Sequence, residues 1–475
     1  MSRQEKILST EIEWKLWRTS SAPCQKKEII LLVLFLAPDG ARAEKPRMNR
    51  LATILTCLLF LLPAAAQDTR FRLQNEQIPG PSDPSQFKAW LADIQHWRSE
   101  HLIRIGYNGS EYGRPEFKWA QSSFMQPQMM IEDRYFYDPV AGKYTVDRYL
   151  DDLERRYGGI DSVLIWHTYP NIGIDDRNQN DLLRDMPGGL AGVRKMVDDF
   201  HRRGVRVLFP IMLWDQGTHD EGIPNWEATA LLLKEINADG INGDTLRGVP
   251  RTFRDASDRV GHPLMLEPES GLDSDEALAW NNMTWGYWNY DAVPTVSRYK
   301  WLEPRHMVNV CRRWARNKNE DLQEAFFNGV GYETWEDIWG IWNQIPDRDA
   351  EAIRRIGKIE RKFSGALISP EWEPHTPVLR PSVYASKFPA AGYAVWTFIN
   401  RNEYTVAGNQ IRVTHKTGTR YYDLWNGVEL TPEVQGDRAV LSFSMEAAGY
   451  GALLATTTPV PGLETFLAEM AALAK

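Results

Sequence analysis

Acidic side chains stand at the ends of several short apolar runs in this chain, and Trp or Tyr stands near most of them. Asp215 follows the run 205–214, Asp244 lies in 240–245, and Glu267 closes 263–267 with Glu269 two residues on. Two carboxyls flanking one bond, an acid and a nucleophile or base, are what glycosidic hydrolysis requires. One of them is then expected to have a raised pKa, because acid and base must coexist at one pH. Asp244 is the expected nucleophile, since small residues approach it (Ala238, Gly240, Asn242, Gly243) and leave room for a ligand beside the backbone. Asp239 starts that run and is expected to point to its other end. Glu267 and Glu269 compete for the acid/base role. Period-2 alternation puts both on one face of an extended strand, and Pro268 leaves that open.

Further polar and aromatic residues fall near the ends of the same runs. His167 and Asp215 are expected to bind sugar hydroxyls. Trp166, Trp214, Trp285 and Trp301 are expected to stack on sugar rings, whose axial C–H groups suit an aromatic face. Asp175, Asp176, Arg298, Lys300, Glu303 and Asn328 complete the expected substrate-binding set, with Tyr332 and Glu333 beyond it. The competing reading of any single carboxylate is a structural ion pair with Arg177, Arg298 or Arg305.

Other chemistries find no pattern. There is no H-E-x-x-H, no G-x-S-x-G and no Walker loop. His96 and His101 are five apart and miss the one-turn spacing of a zinc pair. The stretch from Asp176 echoes a calcium loop, but Asp181 replaces the glycine and Pro187 the final glutamate. No metal and no cofactor is expected. Asn108 and Asn282 begin sequons, relevant only in a eukaryotic secretory pathway.

Residues 120–365 must position these groups. Strand-like runs at 124–131, 162–169, 205–214, 240–245 and 263–267 alternate with helical stretches at 146–157, 190–200 and 226–236. Further strands are expected at 284–288, 296–301 and 325–328, and a closing helix carries Ile353, Ile356, Ile359 and Phe363. Repeated strand–helix units of this total length suit a (β/α)8 barrel of the TIM type. A doubly wound open sheet is the alternative, disfavoured because no glycine-rich phosphate loop follows an early strand. Residues 366–457 change to short alternating strands with turn residues between them, the pattern of an antiparallel β-sandwich. Residues 67–119 read as an N-terminal extension packing on the barrel, and 458–475 as a linker and the start of a helix.

The chain has 475 residues, 55 Lys+Arg against 63 Asp+Glu, and no basic cluster. That balance argues against nucleic-acid or anionic-membrane partners. The 19 Trp are well above ordinary usage, which fits either a heavy core or faces for flat ligands. Met48-Asn49-Arg50, the apolar run 51–62 and Pro63-Ala64-Ala65-Ala66 have the order of a secretory signal. Met48 is therefore the expected initiator, with cleavage after Ala66 and a secreted or periplasmic product free of the membrane. Only Cys311 of three cysteines follows that point, so no intramolecular disulfide is expected. Cys311 sits in the helical-looking 306–311 and reads as a buried thiol.

The segments 166–179 (W-H-T-Y-P-N-I-G-I-D-D-R-N-Q), 204–218, 239–245 (D-G-I-N-G-D-T), 297–307, 325–340 and 421–427 (Y-Y-D-L-W-N-G) carry a resemblance. Over about residues 120–457 the chain resembles secreted bacterial glycoside-hydrolase-like proteins with a (β/α)8 barrel and a β-sandwich, distantly similar to α-galactosidases. The resemblance implies a nucleophilic Asp at the end of the fourth strand, where Asp244 falls. It implies an acid/base Asp after the sixth, where only Asp291 is near. Some relatives continue into a formylglycine-generating-enzyme-like domain, whose copper-binding cysteines have no counterpart here. The expected function is hydrolysis of an oligosaccharide or polysaccharide by two carboxylates. The alternatives are a carbohydrate-binding barrel without turnover and an N-terminal module of a longer protein.

Overall fold

Eight short strands succeed one another around a closed circuit. They are β1 (Met125–Met130), β2 (Ser162–Trp166), β3 (Arg206–Ile211), β4 (Gly240–Gly243), β5 (Met265–Pro268), β6 (Met283–Gly286), β7 (Met307–Val310) and β8 (Gly331–Trp335). The pairings among them are parallel, and β8 pairs β1 with Tyr332 opposite Met125. β5 and β6 lie side by side and complete the ring. Each strand thus neighbours its neighbours in sequence and the two ends meet, which makes this a (β/α)8 barrel and removes the open-sheet alternative. The computed structural model describes residues 76–475, apart from 170, 216–217, 315–316 and 339–340. The expected signal segment and its cleavage point after Ala66 lie outside the described residues. Among the described residues no helix is long and apolar enough to cross a membrane.

The helices follow from apolar spacing. An N-terminal helix α1 (Phe87–Arg104) precedes the barrel. In α2 (Val146–Tyr157) the buried residues Val146, Tyr149, Leu150, Leu153 and Tyr157 recur at three and four, and Gly158 ends the helix at φ 85°. The same logic gives α3 (Gly189–Arg202), α4 (Asn225–Glu235) and α5 (Arg251–Arg259). After β6 the expected strand 296–301 is only Val296–Ser297, paired with Gln77–Ile78 and followed by the short helix α6 (Arg298–Leu302). The expected strand 325–328 is the last turn of α7 (Asn319–Asn328), and the expected helix 306–311 is β7 with Cys311 after it. Short apolar runs do not distinguish a buried strand from a buried helix. The barrel ends with α8 (Asp347–Lys362).

Beyond it lie β9 (Val383–Ala390), β10 (Tyr393–Asn400), β11 (Asn409–Thr414), β12 (Arg420–Asp423), β13 (Val428–Leu430), β14 (Glu433–Gln435), β15 (Arg438–Ser442) and β16 (Tyr450–Thr456). β9, β10, β16, β12 and β13 form one antiparallel sheet, and β11, β15 and β14 the other. Trp396, Phe398 and Leu453 meet Ile411, Val413 and Leu441 between them, a sandwich core. The larger sheet also packs on α7, where Gln323 Nε2 donates to the carbonyls of Asn400 and Gly449 at 3.0 Å each. A terminal helix α9 (Leu463–Leu473) sets Phe466 against Phe363.

Candidate active site

Alternate residues of the barrel strands point inward, and in this barrel several are polar where bulky branched side chains usually fill the space. Glu267 on β5 is fully buried and accepts from Asn309 Nδ2 at 2.7 Å and Asn242 Nδ2 at 3.4 Å. With its amide turned to donate, Gln126 Nε2 lies 3.1 Å from Glu267 and 3.0 Å from Glu333. Burial pushes Glu267 up to about 7 and raises Glu333 well above the carboxylate range. Both are therefore neutral core groups at mildly acidic pH. A raised folded-state pKa means that stability present at low pH is lost as pH rises through it. Glu267→Gln should escape its share of that loss between pH 4.5 and 7. In urea titrations it should gain about 2 kcal/mol on wild type at pH 8 and nothing at pH 4.

One layer further up, the pattern reaches the barrel mouth. A Cβ added to Gly240 would stand 2.7 Å from the Met265 carbonyl oxygen, so the absence of a side chain lets β4 lie close to β5. The strand ends then interlock. Asp244 N–H donates to the Ile211 carbonyl at 2.9 Å and Glu269 N–H to the Gly243 carbonyl at 3.1 Å. Thr245 takes a left-handed conformation, φ 61°, and its N–H donates to Glu269 Oε2 at 2.6 Å. A non-glycine residue held there is strained, a feature that clusters at functional sites.

A cavity of about 440 Å³ opens here, lined by Gln128, Trp166, Tyr169, Asp244, Thr245, Glu269 and Arg313. Asp244 and Glu269 face the same cavity, and Tyr169 Oη donates to Asp244 Oδ2 at 3.4 Å. Burial, and then the neighbouring Glu269 charge, push Asp244 up to about 7. Glu269 has different company. It forms an ion pair with Arg313, and Tyr287 Oη donates to it at 2.8 Å, in addition to the Thr245 amide. The Arg313 guanidinium lies over the rings of Tyr287, Trp335 and Trp285 at 4.9, 5.1 and 5.7 Å. Gln128 Oε1 is buried with no hydrogen-bond partner.

Aromatic rings climb out of the cavity. Trp166 stacks on Tyr169 at 5.9 Å, and Tyr169 on Trp214 at 6.4 Å, with interplanar angles of 21° and 22°. Trp214 is 55% exposed and Trp314, edge-on to Trp335, is 53% exposed. Two large apolar rings thus face solvent at the mouth.

Of the expected site residues, Asp244, Glu269 and Trp166 line the cavity, and Trp214 stands at its rim. Glu267 faces the same axis, as alternation requires, but lies one layer too deep to reach it. Trp285 is likewise fully buried, with Arg313 above it, and offers no face to a sugar. His167 turns outward against Phe209 and contacts the Gln179 carbonyl at 3.1 Å, and burial lowers it to about 4. Asp215 accepts from the Gln179 amide at 2.7 Å and anchors that loop. Asp175 is an exposed partner of Arg177 at 2.8 Å, and Asp176 is exposed beside it.

The later candidates lie elsewhere because their segments are helical. Arg298 pairs with Asp275, Lys300 Nζ donates to the Gly329 carbonyl at 3.1 Å, and Trp301 Nε1 donates to the Ile94 carbonyl at 3.0 Å. Glu303 pairs with Arg305 at 2.7 Å, and Asn328 ties the Ser297 amide to the Thr295 carbonyl. None of these lines the cavity. Asp291 is exposed and outside it as well, so the second Asp implied by the α-galactosidase resemblance is not in place. Tyr169, Tyr287, Arg313, Gln128 and Thr245 escaped the sequence reading. Continuing the inward alternation past the strand ends, from 285 to 287 and from 309 to 313, would have reached two of them.

No family model matches the chain, and no curated protein matches it in sequence. Solved structures of similar shape include an Anoxybacillus alpha-amylase (11% identity, 72% of this chain and 99% of that one, TM-score 0.49). A Lactobacillus plantarum alpha-amylase (15%, 71% and 99%, TM-score 0.49) and a Nostoc punctiforme debranching enzyme (11%, 72% and 99%, TM-score 0.46) are others. Likenesses this distant carry no residue-by-residue correspondence.

Proposed function

We propose that this chain is a glycoside hydrolase acting on an oligosaccharide or polysaccharide, with Asp244 and Glu269 as its two carboxyls. The observation that carries this reading is a pair of carboxyls lining one cavity with unequal surroundings, set in a mouth rimmed by exposed tryptophans. Asp244, held up to about 7, is suited to deliver a proton to the leaving oxygen. Glu269 is met by a guanidinium, a phenol and an amide N–H, a donor set suited to a carboxylate that attacks the anomeric carbon or activates water. This reverses the roles expected from sequence, where Asp244 was the nucleophile. A retaining reaction would place the covalent glycosyl intermediate on Glu269. The signal-like segment before Gln67 makes an exported site of action part of the proposal.

Incubation with a panel of aryl α- and β-glycosides and natural oligosaccharides between pH 4 and 8 tests it, and release of sugar is the expected result. One observation favours a second reading, carbohydrate binding without turnover. Trp214 and Trp314 stand exposed at the rim and offer stacking faces that need neither carboxyl. That reading predicts retardation in sugar-containing gels with no release from any substrate.

A further inference from the structure

A second cavity, about 840 Å³, lies at one end of the sandwich and not at the barrel. Its apolar wall includes Val378, Ala394, Val413 and Ala455, which also border the sandwich core. The gap between the two sheets is therefore open at this end. Trp396 reaches the same wall from the core. It is 4% exposed, and its Nε1 is buried without a hydrogen-bond partner among the described residues.

The rim is cationic although the chain as a whole is acidic. Lys88, Lys387, Arg412, Lys416 and Arg438 surround the cavity, against one carboxylate, Glu373. Glu373 is taken by Lys387 at 2.6 Å, and Arg438 reaches only the Thr414 hydroxyl at 3.4 Å. Lys88, Arg412 and Lys416 have no ion pair among the described residues. Threonine hydroxyls at 376, 414, 419 and 456 lie among them. The combination of apolar floor, hydroxyl-bearing walls and unneutralised cations describes a ligand with rings, hydroxyls and more than one negative charge.

We propose that this cleft is a non-catalytic site for an acidic oligosaccharide. Its uronate carboxylates lie on Arg412 and Lys416, and its rings lie on the apolar wall. The choice of a saccharide rests on the glycan reading of the barrel mouth, while the choice of an anionic one rests on the rim. Such a site would hold the barrel near uronate-bearing polymer whichever bond the mouth cleaves.

Titration calorimetry of the full chain with hexagalacturonate, and with maltohexaose as the neutral control, tests the proposal. The expected result is saturable one-site binding of hexagalacturonate that weakens as salt rises, with maltohexaose at least about tenfold weaker. Arg412→Ala/Lys416→Ala changes only exposed side chains and should weaken hexagalacturonate at least about tenfold. Asp244→Asn/Trp214→Ala, at the mouth, should leave it unchanged. Absence of hydrolysis would thus sink the mouth reading without touching this one. Equal affinity for maltohexaose, wild-type binding by the double cation variant, loss in the mouth variant, or full displacement by equimolar inorganic phosphate would each overturn it.

Discussion

Glu269→Gln is expected to lower turnover about 10⁴-fold on every substrate and at every pH, the scale of removing a group on which a covalent step depends. The substitution keeps the shape of the side chain. The amide oxygen can still accept from the Thr245 N–H, while the NH2 in place of the other oxygen can donate to the Tyr287 hydroxyl, so the cavity should persist. What disappears is the charge facing Arg313. An activated aryl glycoside would not restore the rate, because a good leaving group does not replace a nucleophile. Azide would do so in Glu269→Ala, where truncation leaves it room, and the glycosyl azide formed should have the anomeric configuration opposite to that of the substrate. Steady-state rates with and without azide check this, and a rate within tenfold of wild type would remove Glu269 from the reaction.

Asp244→Asn should behave differently, and the difference depends on the leaving group. On natural glycosides the loss should be about 10²- to 10⁴-fold, the usual contribution of a general acid. On a dinitrophenyl glycoside, whose leaving group departs without a proton, the first step should stay within about tenfold of wild type. The pH dependence follows from the same group. A carboxyl held up to about 7 is protonated and competent below that pH, so wild-type kcat/KM should fall as pH rises through 7. In the variant that alkaline limb should be gone. If Asp244→Asn proves equally dead on both kinds of substrate, Asp244 is the nucleophile after all.

The sequence exposed the first six barrel strands and hid the last two, for a physical reason. α2 and α3 have a solvent face, so their apolar residues show a helical period. α7 does not, because the sandwich covers its outer side and nearly every residue from Asn319 to Asn328 is buried. Polar residues such as Gln323, Glu324 and Asn328 are then buried partners of neighbouring backbone, and Asn328 was taken for a strand-end ligand. α6 is five residues long and buried throughout, too short and too enclosed to show any period. The carboxyls fared better because strand ends are where barrels place their chemistry. Sequence left Glu267 and Glu269 unresolved, since alternation puts both on the barrel axis and only depth separates them.

The Glu269 charge beside Asp244 helps to keep a proton on Asp244. A sugar can rest on Trp214 without disturbing that arrangement, so docking on the rim and engagement of the carboxyls are separate events. A cation placed between the carboxyls works against the proton, because it favours the ionised form of Asp244. A protonated iminosugar should therefore bind more tightly as pH rises towards 7, where a neutral deoxy sugar shows no such dependence.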